Sequence, residues 1–96
     1  MTFRYHPSAE EELLESIRYY ENKAEDLGAE FLSEVEKTLT LIQSFPDLGT
    51  LLTETDRRML LDRFPYGIIY TRNEDHIMIY AIMHLKRNPG YWKSRK

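Results

Sequence analysis

Along the first half of the chain the apolar residues recur at helical spacing. Ala9, Leu13, Ile17 and Tyr20 stand four, four and three apart, which puts them on one face of a helix. Phe31, Val35, Leu39 and Ile42 repeat the spacing, and Leu32 and Leu41 widen the stripe. Before the first helix, Thr2 to His6 alternates with Phe3 and Tyr5 on one side, the pattern of a short strand, and Pro7 stops it. Ser8-Ala9-Glu10-Glu11 reads as a capping box, so the first helix is expected to start at Ser8. The polar stretch Asn22 to Gly28 breaks the pattern, and Phe45-Pro46 ends the second helix near Ser44, since proline cannot continue it. The first half is therefore an amphipathic helical hairpin in need of a partner.

Beyond Pro46 the period changes. Leu51 to Asp56 reads as a connection and Arg57 to Asp62 as a strand, although so short an apolar run fits a helix equally well. Phe64-Pro65-Tyr66-Gly67 turns the chain into two runs rich in Ile, Tyr and Thr, Gly67 to Arg72 and His76 to His84, joined by Asn73-Glu74-Asp75. A two-residue turn at Glu74-Asp75 would set Tyr70 opposite Ile79, Ile68 opposite Ala81 and Tyr66 opposite Met83. The last strand is apolar on both sides, with Ile77, Ile79, Ala81 and Met83 on one and Met78, Tyr80 and Ile82 on the other, as expected of an interior strand. Helices covering one sheet face would leave the other, with His84 at its end, partly open. Asn88-Pro89-Gly90-Tyr91 fits a type II turn with Gly90 at positive φ. The expected class is α+β: an N-terminal strand, a two-helix hairpin, then three antiparallel strands in one sheet packed on the helices.

The length, 96 residues, suits one domain. With no cysteine there is no disulfide framework or thiolate metal site, and the histidines, at 6, 76 and 84, lack metal-ligand spacing. No run resembles a signal peptide or a membrane span, so a cytoplasmic protein without cofactor or metal is expected. The net charge of −3 conceals a division. Up to Asp56 thirteen acids face four bases, whereas from Arg57 onward nine bases face three acids. A field so divided steers an anionic partner to one side.

The candidate chemistry gathers in His84 to Trp92, where an imidazole, a guanidinium, a phenol and an indole lie within nine residues. Arg57, Arg58, Arg63, Lys86, Arg87, Trp92 and Lys93 are candidates for gripping phosphates, stacking on bases or docking on a target. The same residues have plainer uses: His84 as a hydrogen-bonding strand end, Arg87 as partner to a helix acid, Tyr91 and Trp92 as a latch over the core. Strand alternation also forbids Arg57 and Arg58 from sharing a face, and it separates His84 from Arg87 unless the strand ends near His84. The carboxylates of the helical half are expected on exposed faces.

Several stretches together resemble the RelE/ParE superfamily of type II toxin-antitoxin toxins, which includes plasmid stabilisation proteins. They are Phe3-Arg4-Tyr5-His6-Pro7 with Ala9 and Glu12, the hairpin closing at Phe45-Pro46, Arg57-Arg58, Phe64-Pro65-Tyr66 with Ile69-Tyr70, and His84-x-x-Arg87-x-Pro89-x-Tyr91-Trp92. The resemblance implies a growth-inhibiting toxin held inactive by a cognate antitoxin. RelE-like members cut messenger RNA in the ribosomal A site, whereas ParE-like members inhibit DNA gyrase by binding. Metal-free RNA cleavage needs a group to activate the 2′-hydroxyl, one to neutralise the phosphorane and one to protonate the leaving oxygen. If the chain is of the RelE type, His84 as acid or base, Arg87 as charge stabiliser and Tyr91 beside them are the catalytic candidates. The Met83-His84-x-x-Arg87 ending looks ParE-like, while Tyr91 matches the late tyrosine of the RelE type. The net acidic chain, with Arg72 the one base near the hairpin turn, departs from the strongly basic RelE pattern. A degenerate member that only binds its antitoxin is a further possibility.

Overall fold

The structure, a computed structural model, describes residues 1–96. In chain order it contains β1 (Thr2–Tyr5), α1 (Pro7–Lys23), α2 (Leu27–Ser44), β2 (Thr50–Leu51), β3 (Asp56–Leu60), β4 (Tyr66–Arg72), β5 (His76–His84) and a 3-10 helix, Tyr91–Arg95. The strands make one five-stranded sheet in the order β1-β5-β4-β3-β2. β1 lies parallel to β5, with Phe3 opposite Ile77 and Tyr5 opposite Ile79, while the other neighbours are antiparallel. The α+β class is as expected and β5 is interior, but the connection after Pro46 contributes an extra strand, β2. β3 begins one residue before and ends two residues before the stretch its pattern suggested.

Helix α1 starts at Pro7 rather than Ser8. His6 is the cap, its Nδ1 accepting the Ser8 N–H at 3.1 Å, and Pro7 takes the first helical position, where its missing N–H has no bond to make. The capping box read at Ser8 is displaced by this arrangement. At the other end, Glu21 reaches across the turn to cap α2: its carboxylate accepts the Asp26 N–H at 3.1 Å and the Gly28 N–H at 3.0 Å. Gly28 is where the helices touch, since a Cβ there would stand 2.6 Å from the Ile17 carbonyl oxygen.

Between helices and sheet, Phe31, Val35, Leu39 and Ile42 of α2 meet Ile68 and Tyr70 of β4 and Ile77, Ile79 and Ile82 of β5, with Leu13, Ile17 and Tyr20 of α1 closing the side. Each buried Ile or Phe contributes about 1.5–3 kcal/mol. Phe31 packs on Tyr20, Phe64 and Tyr66 at ring separations of 5.2, 5.1 and 4.9 Å, and Tyr66 in turn meets the His84 ring at 5.0 Å.

The β4–β5 register follows the turn only part of the way. Tyr70 stands opposite Ile79 as the turn demands, but Ile69 pairs with Ala81, so one residue, Tyr80, is bulged out. Beyond it Ile68 faces Ile82 and Tyr66 faces His84, each one residue further along β5 than the turn alone predicts. The slip exchanges faces. Ile82 joins Ile77 and Ile79 in the core under the helices, while Ala81 and Met83 pass to the opposite face.

That opposite face is not open at its centre. Trp92, fully buried, sits over Ile69, Ala81 and Met83, and its indole N–H donates to the Pro89 carbonyl at 2.8 Å. The turn that brings it there is not type II: Gly90 has φ −106°, and the bend is held by its N–H on the Asn88 side-chain oxygen at 3.0 Å. Nor are all the carboxylates of the acidic half on exposed faces. Glu34 is buried and accepts the Asp62 and Arg63 N–H groups at 3.0 and 3.3 Å, and Asp56 is buried against Thr53, Thr71 and Lys96.

Candidate functional site

β5 ends at His84, and a turn closed by Arg87 N–H on the His84 carbonyl (3.0 Å) lets the two side chains line one cleft of about 160 Å³ with Glu12, Glu15 and Tyr66. The strand end thus removes the objection that alternation would part them. Tyr91 arrives from the 3-10 helix, and the Arg87 guanidinium lies 3.8 Å from its ring centre.

All of this is organised by Glu12, from the first turns of α1. Its Oε2 accepts the Tyr91 O–H at 2.6 Å, Arg95 Nη2 at 2.9 Å and Arg87 Nη1 at 3.3 Å. Its Oε1 accepts Arg95 Nη1 at 2.8 Å and the Ile82 N–H at 3.1 Å. Beyond Ile79, β5 has no β1 residue beside it, so Glu12 supplies the acceptor a neighbouring strand would have given. Arg95 performs the matching task, donating to the carbonyl of the bulged Tyr80 at 2.9 Å. The side chains of Glu12 and Arg95 are each only 13% exposed, so their paired hydrogen bonds are made largely out of water.

The electrostatics follow from that placement. Burial first, then the hydrogen bond to Glu12, pushes the Tyr91 phenol far above its usual range. The Glu12 contact raises the Arg95 guanidinium further still, against a smaller opposing effect of burial. Tyr91 is therefore a fixed neutral donor, unsuited to act as a base. His84 is different: Nδ1 accepts the Lys86 N–H at 3.0 Å, which leaves the neutral ring carrying its proton on Nε2. Arg87 stays half exposed, with one face toward solvent.

The other candidates divide. Arg58 and Lys93 line a second cleft on the far side of the sheet, over the buried Trp92. Trp92 itself is not a stacking or docking surface, because its ring lies wholly inside the second core. Arg57 and Arg58 do point to opposite faces: Arg57 ties the α2–β2 loop, donating to the Asp47 and Gly49 carbonyls at 2.8 Å each. Arg63 pairs with Glu30 of α2 at 3.1 Å, and Lys86 is exposed beyond the strand end. No three His, Asp or Glu side chains converge as a cation cage requires, and no helix is long and apolar enough to cross a membrane. The sequence reading missed Glu12 as the hub and Arg95 as its main partner. Glu12 was legible only as one of the residues carrying the family resemblance, and Arg95 gave no signal, since nothing in its neighbourhood predicts a contact with a residue near the start of the chain.

The fold agrees with that of known proteins. The sequence model of the ParE toxin of type II toxin-antitoxin systems (parDE) matches residues 3–89. Among solved structures, a chain of the chromosomal ParDE toxin-antitoxin system from P. aeruginosa superposes with a TM-score of 0.76 over 90% of this chain and 97% of its own, at 14% identity, a likeness of fold. A search of curated protein sequences gave no match. With its family match running from β1 through Pro89, the chain belongs to the ParE toxin family of type II toxin-antitoxin systems.

Proposed function

We propose that the chain is the growth-inhibiting toxin of such a module, held inactive by a cognate antitoxin, and that it inhibits DNA gyrase by docking on it, as the ParE resemblance implies, without cutting a bond. One observation carries the choice. Tyr91, Arg87 and Arg95 all spend donors on Glu12, so the groups a metal-free ribonuclease would aim at a phosphorane are already bound to an anion of the protein's own. A docking protein needs no free acid or base; it needs a rigid, correctly charged surface, and the Glu12 cluster makes the C-terminal segment rigid. The exposed edge of Arg87, with Lys86 beside it, is the part of the segment offered to a target.

The alternative, ribosome-dependent mRNA cleavage, draws on His84 and Arg87 sharing one cleft with the His84 Nε2 proton uncommitted. Purified chain added to gyrase and relaxed plasmid is expected to stop supercoiling, and Arg87→Ala to weaken the effect. Added to programmed ribosomes, it is expected to leave the message intact. New 5′ ends at A-site codons, lost in His84→Ala, would overturn the docking reading in favour of cleavage.

A further inference from the structure

The largest cleft of the molecule, about 410 Å³, opens where the turn between α1 and α2 passes the start of β4 and the end of β5. It alone reaches the range of about 300–1,000 Å³ in which small-molecule sites fall, since the other three measure about 240, 180 and 160 Å³.

Its walls are aromatic. Tyr20 belongs to the core stripe of α1 and packs on Phe31 and Phe64. Tyr19, one residue off that stripe, is left 53% exposed, its ring in a T-shaped contact with Tyr20 at 5.2 Å. Lys23, one turn further along the same face, sets its Nζ 5.0 Å from the centre of the Tyr19 ring. Tyr66 and His84 supply the wall from the sheet, and Pro65 and Leu27 add apolar surface.

The polar groups of the cleft are donors, and they are unspent. No carboxylate lines it. Lys23 joins no ion pair of the molecule. Neither Tyr20 nor Tyr66 donates its hydroxyl to a carbonyl or carboxylate, as Tyr70 and Tyr91 do. His84 Nδ1 is taken by the Lys86 N–H, which leaves the Nε2 proton free. Burial first, and then the Tyr66 hydroxyl beside it, push the Tyr20 phenol up to about 12, so it stays a neutral donor.

Flat rings, free donors and one ammonium suit a planar ligand that carries acceptors and an oxyanion. Its length is limited by what lies next door. Past Tyr66 and His84 the surface runs into the cleft that holds Glu12 and Glu15. Arg87 is already on Glu12 there, and Glu15 has no cation of its own, so a second phosphate would meet an unpaired carboxylate.

We propose that this cleft binds a single free nucleoside monophosphate, its base stacked on Tyr19, its phosphate on Lys23, and the His84 and Tyr66 donors on its remaining oxygen and nitrogen acceptors. The site does not rest on the gyrase reading.

The test titrates the full chain, labelled with nitrogen-15, with adenosine monophosphate and follows the His84 ring and the Lys23 amide. Adenosine, inorganic phosphate, benzoate and a short adenylate strand serve as the other arms. The expected result is a saturable shift at both positions, with binding about tenfold weaker for adenosine or phosphate alone. The monophosphate itself should bind about tenfold more weakly to Tyr19→Ala and to Lys23→Gln. Both side chains are exposed, so these variants keep the fold. Three outcomes overturn the proposal. Shifts that never saturate remove the site, equal affinity for phosphate or benzoate makes it a plain anion site, and tighter binding of the strand makes it part of a nucleic-acid path.

Discussion

Glu12 and Arg95, 83 positions apart in sequence, join through two hydrogen bonds of 2.8 and 2.9 Å where β5 runs on past the end of β1. The pair fastens the last turn of the chain to the first helix, and Tyr91 and Arg87 are fastened by the same carboxylate.

Removing one partner of so sheltered a pair leaves the other uncompensated. Glu12→Gln or Arg95→Ala is expected to cost about 3–5 kcal/mol in urea unfolding. The double variant should cost less than the two losses added, by roughly 1–3 kcal/mol. Additive losses would mean that the two residues act separately.

Trp92, the only tryptophan, is fully buried between the 3-10 helix and Ile69, Ala81 and Met83. Its fluorescence should be blue-shifted and resistant to iodide quenching until the protein unfolds. Trp92→Ala should destabilise by about 3–5 kcal/mol, whereas an exposed stacking tryptophan would cost little.

The course of the chain was legible wherever one period dominated. The helical stripes read Ala9 to Tyr20 and Phe31 to Ile42 correctly, and an apolar run on both sides placed β5 inside the sheet. What escaped depended on contacts between distant residues. The bulge at Tyr80 reverses the faces of Ala81, Ile82 and Met83, and it is held by Arg95 from the far end of the chain. Local pattern sees neither the extra residue nor the donor that satisfies it. Trp92 was ambiguous for the same reason: a latch and a stacking platform have the same sequence. His84 and Arg87 converged because the strand ended, a boundary that periodicity places only loosely.

The glycines separate a required position from a tolerant one. Gly28→Ala would force a methyl to 2.6 Å from the Ile17 carbonyl and should lower stability by about 1–3 kcal/mol. Gly90→Ala meets only the flexible Lys93 side chain at 3.5 Å and has an ordinary negative φ, so its effect should stay within about 0.5 kcal/mol. A large loss at Gly90 would restore the type II turn.

Asp56 is expected to contribute to the acid response. Burial pushes its carboxyl up, but hydrogen bonds from Lys96, Thr71 and Thr53 outweigh this and bring it below its ordinary value of 3.8. The folded chain therefore holds this proton less tightly than the unfolded chain does. Its contribution is complete above pH 3.8 and drains away as pH falls from there through the folded value. Thermal midpoints measured down the acid range should show a decline that is shallower in Asp56→Asn, from a lower starting stability. Identical slopes would assign the acid loss to other carboxylates.

The most direct measurement of the docking reading is incorporation of labelled thymidine and methionine in the first minutes after the chain is induced without an antitoxin, with Arg87→Ala in parallel. Docking on gyrase predicts that DNA synthesis falls first while protein synthesis continues, and that Arg87→Ala delays the fall. An early stop in protein synthesis with DNA synthesis intact would contradict it and turn His84 and Arg87 into residues to test as catalytic.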